Sequence, residues 1–231
     1  MHVLVAAAAC AEGPVSAAST VGRVEVRLVD LTLSDRAVAQ AESSLTSAEI
    51  ARARRGTPAV HRRRVLLRAA LRSTLGVELG MDPARVPLHT TPSGRPFIPS
   101  SVAGAGVDVS CSASGDLGAV AVGRSVRIGI DVETVAPWSP EVLEEAWLSG
   151  SERVALTRLP ASLRAAAATR SWTQKEAVLK AVGTGLLADP AVTITSIGQK
   201  DGVVAGWEMH DVPVPDGWVA SLAVARNEET P

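Results

Sequence analysis

Residues 127–133 read Arg-Ile-Gly-Ile-Asp-Val-Glu, and the interpretation of the chain begins from this stretch. Aliphatic residues alternate with small or acidic ones, which predicts a strand with one face toward a core. Asp131 and Glu133 then lie side by side on the other face, with Cα atoms about 6.5–7 Å apart, and Gly129 leaves room beside them. Two carboxylates this close repel each other unless a cation lies between them. The stretch therefore indicates either a Mg²⁺ site made of oxygen ligands or an ordinary strand face that carries two acids.

A second stretch, Trp172-Thr-Gln-Lys-Glu-Ala-Val-Leu-Lys180, has the spacing of a helix. Trp172, Glu176 and Lys180 recur every four residues and share one stripe of the helix predicted over 163–182, which Gly183 would end. A Glu–Lys pair at this spacing is also a common surface feature. However, the chain has 20 arginines and only three lysines, two of which lie here. Because a lysine is a compact point charge suited to a single phosphate oxygen, the stretch also suggests phosphate binding.

The composition is that of a folded globular protein. The 231 residues are 46% apolar and 20% charged with a net charge of −1, which argues against disorder and does not favour binding to nucleic acid or an anionic membrane. Two distant cysteines, Cys10 and Cys111, do not suggest a disulfide framework, so a reduced, cytoplasmic protein is expected. The apolar segment 3–10 could be a signal peptide or a buried strand. It is short and has no preceding Lys or Arg, which favours the strand.

Arginine is concentrated between residues 52 and 72, where eight occur. This run indicates either the solvated face of a helix or a patch that receives a phosphorylated ligand. The charge pattern alone leaves both interpretations open.

Hydrophobic periodicity predicts strands and helices in both halves of the chain. Predicted strands occupy 22–32, 107–112, 117–122, 126–133, about 192–198, 202–209 and 217–225, and predicted helices occupy 34–55, 61–75, 140–147, 151–159 and 163–182. We therefore predict an α+β fold with an N-terminal half, residues 1–123, and a C-terminal half, residues 124–231. The two halves have a similar element order, but no sequence repeat between them is evident.

Together, the two opening stretches resemble the core signatures of the Sfp-type 4′-phosphopantetheinyl transferase family. That family carries a Gly-Ile-Asp-x-Glu strand and a Trp-x-x-Lys-Glu-Ala-x-x-Lys helix ending in Gly-x-Gly-Leu, and both are complete here, at 129–133 and 172–186. Weaker similarity extends over most of the chain. It includes Ser-Gly-Arg-Pro-Phe at 93–97, Val-Ser-Cys-Ser at 109–112 and Trp-Leu-Ser-Gly-Ser-Glu at 147–152.

The resemblance implies the family's fold and reaction. The fold is a pseudo-dimer of two similar α+β halves with coenzyme A bound in the cleft between them. The reaction transfers 4′-phosphopantetheine from coenzyme A to a serine of an apo acyl or peptidyl carrier protein, releases adenosine 3′,5′-bisphosphate and uses Mg²⁺. The carrier would belong to polyketide, nonribosomal-peptide or fatty-acid synthesis. A monomer is expected, because a pseudo-dimer completes its own cleft.

The resemblance also implies roles for individual residues. The metal ligands would be Asp131, Glu133 and Glu176. Glu176 would also accept the serine proton, and Lys180 and Asp131 would complete the catalytic group. Residues implied in coenzyme A binding are Arg55, Gly94, Arg95, Pro96, Ser110, Cys111, Asp131, Lys175, Glu176 and Lys180, with Lys175 contacting the nucleotide. The carrier protein is expected on residues 137–163, where Trp138, Val142, Leu143 and Trp147 would form either an apolar patch or part of the core.

The chain departs from the family pattern at two positions, both on the side that binds the 3′-phosphate of coenzyme A. Cys111 stands where the family usually has a histidine, and a thiol is a weak, mostly neutral donor. The family also has a basic residue before its first long helix, where this chain has Ala59 or Val60. A neighbouring arginine, Arg55 foremost, is expected to replace that contact.

Two alternatives to an active transferase remain at this point. One is a catalytically weak relative that binds coenzyme A or a carrier protein without turnover, which the substitution at Cys111 favours. The other sets the resemblance aside and uses the same acids in a Mg²⁺-dependent phosphoester or pyrophosphate hydrolase. The intact carboxylates and lysines argue against the first alternative, and nothing in the sequence singles out an activated water for the second.

Overall fold

Antiparallel sheets with helices packed on them make up both parts of the chain. The computed structural model describes residues 4–6, 15–102, 106–139, 142, 147–183 and 193–226. The chain divides into two units, the first made of Met1–Thr91 and Pro96–Ser125, and the second of Pro92–Arg95 and Val126–Pro231. Each unit contains both helix and sheet, which confirms the α+β class.

The first unit is built on a five-stranded antiparallel sheet. Its strands are β1 (Leu4–Ala6), β2 (Val15–Val21), β3 (Val24–Asp30), β6 (Val107–Ser114) and β7 (Leu117–Arg124), in the order β1-β2-β3-β7-β6, while β4 (His89–Thr90) and β5 (Pro96–Phe97) form a separate pair. The turn between β6 and β7 contains Gly115 at a φ of 52°, as the predicted strand pair requires. A strand was predicted over 3–10. Leu4–Ala6 confirms part of it, and residues 7–14 lie outside the described residues.

Three helices of the first unit begin at hydroxyl caps that satisfy the first backbone N–H groups. They are α1 (Asp35–Glu42), α2 (Ser47–Ala53) and α3 (Pro58–Leu79), capped by Ser34, Thr46 and Thr57. The helix predicted over 61–75 is longer in the structure, because α3 continues to Leu79 and ends at Gly80, which has a φ of 62°. Gly76 lies inside the helix, and a larger residue would not fit there because its Cβ would lie 2.8 Å from the carbonyl oxygen of Met81. The buried side of α3 packs on the sheet and forms the core of this unit.

The second unit has a four-stranded antiparallel sheet and a long helix that packs across it. Its strands are β8 (Ile128–Thr134), β9 (Gly202–Val204), β10 (Trp207–Val212) and β11 (Trp218–Ala225), in the order β8-β11-β10-β9, and its helices are α4 (Gly150–Arg158) and α5 (Ala161–Val182). Ala177 and Ala181 of α5 pack against Met209 and Ala223 of the sheet. The predicted strand 126–133 and helix 163–182 are confirmed, with bounds shifted by one or two residues.

Three other predicted elements of the second unit are not confirmed. A single strand over 202–209 is wrong, because Ala205 and Gly206 have φ values of 49° and 84° and turn the chain between β9 and β10. A strand at 192–198 is also wrong for the described residues from 193 onward. There the backbone N–H of Thr195 donates to the side chain of Glu152 instead of to a neighbouring strand. Most of the predicted helix 140–147 lies outside the described residues.

In the part of the chain that the structure describes, no helix combines the length and the apolar character needed to cross a membrane.

Candidate active site

The packing of α5 on β8 depends on Gly129. A Cβ at this position would lie 2.0 Å from the carbonyl oxygen of Ala177 and 2.5 Å from the backbone nitrogen of Ala181. The space that we expected Gly129 to leave beside the carboxylates is therefore occupied by the backbone of α5. The close approach brings the acids of the strand against the Glu-Lys stripe of the helix.

Asp131 forms an ion pair with Lys180 across this contact. The Nζ of Lys180 lies 2.6 Å from Oδ1 of Asp131. Asp131 is 2% exposed, whereas Lys180 remains partly open to solvent. Behind Asp131, the register places Ser221 of β11 directly opposite, and the hydroxyl of Ser221 lies 2.8 Å from that of Thr173 on α5. The ion pair and the hydroxyl pair together join the strand, its neighbour and the helix.

Glu176 interacts electrostatically with the two acids of β8. Burial raises the pKa of its carboxyl above the ordinary value of 4.5, the negative charge of Asp131 raises it further, and Glu133 adds to the effect. The positive charge of Lys180 opposes these shifts. Glu176 is therefore close enough to both acids of β8 to be repelled by them. The joint role that the resemblance implied for these four residues stays a prediction.

Among the described residues, no three carboxylate, imidazole or thiol groups are gathered around one point as a ready-made metal site. The donor chemistry nevertheless fits Mg²⁺, which needs only one or two protein carboxylates and takes its other ligands from water and phosphate oxygens. The metal set of Asp131, Glu133 and Glu176 remains a prediction.

Lys175 has surroundings that the sequence did not predict. Its side chain is 0% exposed, and its Nζ lies 3.0 Å from Oε2 of Glu152 and donates to the carbonyl oxygen of Thr193 at 2.6 Å. The other oxygen of Glu152 accepts hydrogen bonds from the backbone and the hydroxyl of Thr195, both at 2.7 Å. A contact between Lys175 and a nucleotide would require this buried group to open. The nucleotide contact that the resemblance implied for Lys175 stays a prediction.

Comparison with known proteins bears on what these residues do. The family model for the 4′-phosphopantetheinyl transferase superfamily matches residues 127–206, which contain all the carboxylates and lysines described above. A curated relative, the 4′-phosphopantetheinyl transferase HetI of Nostoc sp., is 34% identical over 188 residues, covering 79% of each chain. The chain belongs to the 4′-phosphopantetheinyl transferase superfamily.

Arg95 and Gly94 belong to the same unit as the carboxylates. The Arg95 guanidinium donates to the carbonyl oxygen of Ile128, at the start of β8, over 3.1 Å. Gly94 has a φ of 90°, a conformation that favours glycine, and turns the chain before Arg95. The structure therefore places this part of the loop, for which the superfamily resemblance implied coenzyme A binding, beside the strand that carries Asp131. Pro96, the next residue, is in β5 of the first unit.

The remaining residues implied in coenzyme A binding lie in the first unit. Ser110 is buried on β6, and Cys111 is half-buried and packs against the core, so a small core side chain is an adequate description of the thiol. Arg55 is exposed just after α2. A cavity of about 350 Å³ opens at the start of α3, beside the two positions where the superfamily's basic residue is missing. It is lined by Leu31, Thr32, Ala59, Val60, Arg62, Arg63, Gly115 and Asp116.

The arginine-rich run is divided between surface and interior. Arg54, Arg55 and Arg63 are exposed, whereas Arg68 and Arg72 turn inward and pair with Glu49. Both interpretations therefore stay open for the exposed arginines, whereas Arg68 and Arg72 belong to the interior of the unit.

Three tryptophans pack together beside the carboxylates. Ring centroids of Trp138 and Trp147 are 4.9 Å apart, and Trp147 meets Trp172 edge-on at 5.4 Å. Trp147 is buried and donates from its indole to the carbonyl oxygen of Val142, so it serves the core rather than a surface patch. A cavity of about 460 Å³ adjoins the cluster. It is lined by Glu133, Thr134, Ala136, Pro137, Trp138, Ser139, Val142 and Trp172.

Proposed function

We propose that the chain transfers the 4′-phosphopantetheine group of coenzyme A to a serine hydroxyl of an apo carrier protein, in a Mg²⁺-dependent reaction that releases adenosine 3′,5′-bisphosphate. The observation that carries the proposal is the ion pair between Lys180 and Asp131 across the contact of α5 with β8, beside Glu176, whose pKa burial and the charge of Asp131 raise. Membership of the superfamily supplies the class of reaction.

The reaction requires the protein mainly to position the reacting groups and to stabilise negative charge. The serine oxygen forms a bond to the phosphorus next to pantetheine, and the bond from that phosphorus to the bridging oxygen breaks. The electron pair of the broken bond stays on the leaving bisphosphate. Glu176 would accept the serine proton. Lys180 would offset negative charge on the leaving phosphate.

Mg²⁺ is the cation whose ligand preferences fit this donor set. Asp131, Glu133 and Glu176 would supply the carboxylate oxygens, and the repulsion that Glu176 experiences from the two strand acids supports a cation among them. When bound, the ion would neutralise charge on the pyrophosphate oxygens. The protein's part is to hold the three acids on two rigid elements, β8 and α5.

The finer features of the proposal follow the superfamily. We infer a pseudo-dimer with an N-terminal half over 1–123 and a C-terminal half over 124–231, acting as a monomer in the cytoplasm. Coenzyme A is the donor substrate, and the acceptor is a carrier protein or domain of polyketide, nonribosomal-peptide or fatty-acid synthesis. The cavity beside Trp138, Pro137 and Val142 supports contact with the carrier or its incoming group, because it is apolar on one side and carries Glu133 on the other.

The test is a mass measurement on the carrier. Purified chain is incubated with apo carrier protein, coenzyme A and Mg²⁺, and the carrier is weighed intact. We expect a gain of one phosphopantetheine mass, which is lost in Asp131→Asn and Glu176→Gln. Glu208→Gln is the matched control, because Glu208 is an acid of the same unit whose side chain is half exposed, and it should transfer like the wild type.

Other outcomes would contradict the proposal in distinct ways. Coenzyme A that binds without any mass gain on the carrier would indicate a catalytically weak relative. Coenzyme A that is cleaved while the carrier stays unmodified would indicate a hydrolase.

A further inference from the structure

A buried polar cluster in the second unit has no part in the reaction as proposed above. Glu152 is 1% exposed and lies at the third position of α4, where its carboxylate accepts the backbone N–H of the cap residue Ser149 at 2.7 Å. The same carboxylate holds Lys175 of α5 and Thr195 of the following loop. The Glu152 side chain therefore links the start of α4, the middle of α5 and the loop that contains Thr195.

The first unit contains the same arrangement around Glu49. Glu49 is the third residue of α2, and it accepts the backbone N–H of its cap residue Thr46 at 2.8 Å. Its carboxylate pairs at 2.9 Å with Arg72 of α3, which is 2% exposed. Arg72 also donates to carbonyl oxygens of the segment that follows α3, at Pro83 and Val86. A buried cation on the long helix thus joins a capping glutamate to the next segment in both units.

The two clusters occupy equivalent positions in the chain. The glutamate and its cation are 23 residues apart in each unit, and α3 and α5 are both 22 residues long. Both helices end at a glycine in the left-handed conformation. A shift of 103 residues relates Thr46 to Ser149, Glu49 to Glu152, Arg72 to Lys175 and Gly80 to Gly183. The chain therefore carries an internal repeat, although of these four pairs only the glutamate and the glycine are identical.

The repeat assigns a role to Lys175 by comparison. In the first unit the equivalent Arg72 is a structural residue, and the positions equivalent to Glu176 and Lys180 are Ser73 and Val77, the latter 69% exposed. The first unit thus has the same helix framework without the carboxylate and the ammonium group of the second unit. What distinguishes the second copy is the pair of reactive side chains added to it.

Helix geometry connects the buried pair to these reactive side chains. Neighbouring residues of an α-helix are about 100° apart around its axis. Because Lys175 is fixed by Glu152 and Thr193, the direction of Glu176 is fixed as well, and Lys180 lies on the same stripe as Glu176. Buried ionic pairs are often better at specifying one arrangement than at adding stability.

We propose that Lys175 is a positioning residue, which with Glu152 sets the rotation of α5 so that Glu176 and Lys180 face β8, and that it does not contact the nucleotide. This inference rests on the proposed transferase function for its kinetic test. It predicts that loss of Lys175 lowers turnover by a larger factor than it weakens coenzyme A binding, because Glu176 and Lys180, which it positions, are themselves implied in that binding.

The experiment compares Lys175→Met, Lys175→Arg and the matched control Arg72→Met, each at a temperature where the protein is folded. We measure kcat and KM for transfer, the Kd for coenzyme A by calorimetry, and the near-ultraviolet circular dichroism of the tryptophans. Lys175→Met should lower kcat about 10- to 100-fold, since displacements near 1 Å have effects of this size. Its Kd for coenzyme A should rise by a smaller factor than kcat falls, and the tryptophan signal should change because Trp172 lies one turn before Glu176.

Lys175→Arg should recover most of the lost turnover, because the first unit already uses arginine at this place. Arg72→Met should lower the melting temperature without changing kcat. A tenfold or larger rise in the Kd for coenzyme A in Lys175→Met, with kcat kept, would overturn the inference in favour of a nucleotide contact. An equal loss of kcat in Arg72→Met would also overturn it, because the effect would then be general loss of packing.

Two provisions keep the test decisive. If Lys175→Met does not fold, Glu152→Gln replaces it, since this change keeps the shape of the side chain and removes its charge, and the same split between kcat and Kd is expected. If the folded wild type transfers nothing, the proposed function fails. The tryptophan signal then decides the positioning role alone, and an unchanged signal in the Lys175 variant refutes it.

Discussion

Replacement of Gly129 by alanine tests the packing on which the candidate site depends. The added Cβ would lie 2.0 Å from the carbonyl oxygen of Ala177 and 2.5 Å from the nitrogen of Ala181. Both neighbours are backbone atoms of α5, so neither can rotate away as the end of a flexible side chain would. Strand and helix would have to separate.

The size of the effect follows from these distances. Non-bonded heavy atoms pack at about 3.5–4.0 Å, so relief of the contact requires a movement of more than about 1 Å. Overpacking a well-packed core costs about 1–3 kcal/mol, and a clash between two backbones belongs at the upper end of that range. The same movement carries Glu176 and Lys180 away from Asp131, and a displacement of 1 Å can lower turnover about 100-fold. We therefore expect Gly129→Ala to lose roughly 3 kcal/mol of unfolding free energy and most of its activity.

Urea unfolding followed by tryptophan fluorescence measures the stability, and the carrier mass assay measures the activity. Gly150→Ala is the matched control, because no atom lies within 4 Å of a Cβ there and the residue is the first of α4. This control should gain about 0.4–1 kcal/mol, since alanine restricts the unfolded chain. If Gly129→Ala unfolds at the wild-type urea concentration, the close approach of β8 and α5 is wrong.

Two further predictions concern pH. The folded-state pKa of Glu176 is raised by burial and by Asp131, so its contribution to stability is full below the ordinary value of 4.5 and is lost as pH rises through the folded value. Without Mg²⁺, Glu176→Gln should therefore melt at a higher temperature than the wild type at pH 8, and an equal melting temperature there would contradict the shift. Burial alone would raise the pKa of Glu152, but hydrogen bonds from Thr195, Ser149 and Lys175 lower it below 4.5. Its contribution is present above that value and lost as pH falls through the folded pKa, so Glu152→Gln should cost about 3 kcal/mol at pH 7 and progressively less in acid, as measured by urea titrations.

The parts of the fold that depend on regular periodicity could be predicted from the sequence. Alternation marked β8 and a four-residue repeat marked α5, and both are present nearly as predicted. The turn at Ala205 could not be predicted, because alanine rarely adopts the positive φ of 49° that it has there. The strand predicted at 192–198 failed because a buried carboxylate, not a neighbouring strand, takes the backbone N–H of Thr195.

The candidate site, too, could be predicted from the sequence only in part. Spacing placed Asp131 beside Glu133 on one strand and Glu176 on one stripe with Lys180 of one helix, and only the resemblance to the family brought the strand and the helix together. Spacing could not reveal that Lys175 is buried, because its partners come from 18 and 23 residues away in the chain. The internal repeat was missed because the copies preserve the chemistry of a hydroxyl cap and a buried cation while the residue types differ.

The excursion at Pro92–Arg95 has a consequence for synthesis of the protein. These four residues belong to the second unit although the chain returns to the first unit at Pro96. Arg95 leaves the ribosome 33 residues before Ile128, the residue whose carbonyl oxygen its guanidinium meets in the folded chain. The second unit therefore cannot be completed from residues 126–231 alone. For the same reason, a single cut at 125/126 would leave Arg95 on a different fragment from Ile128.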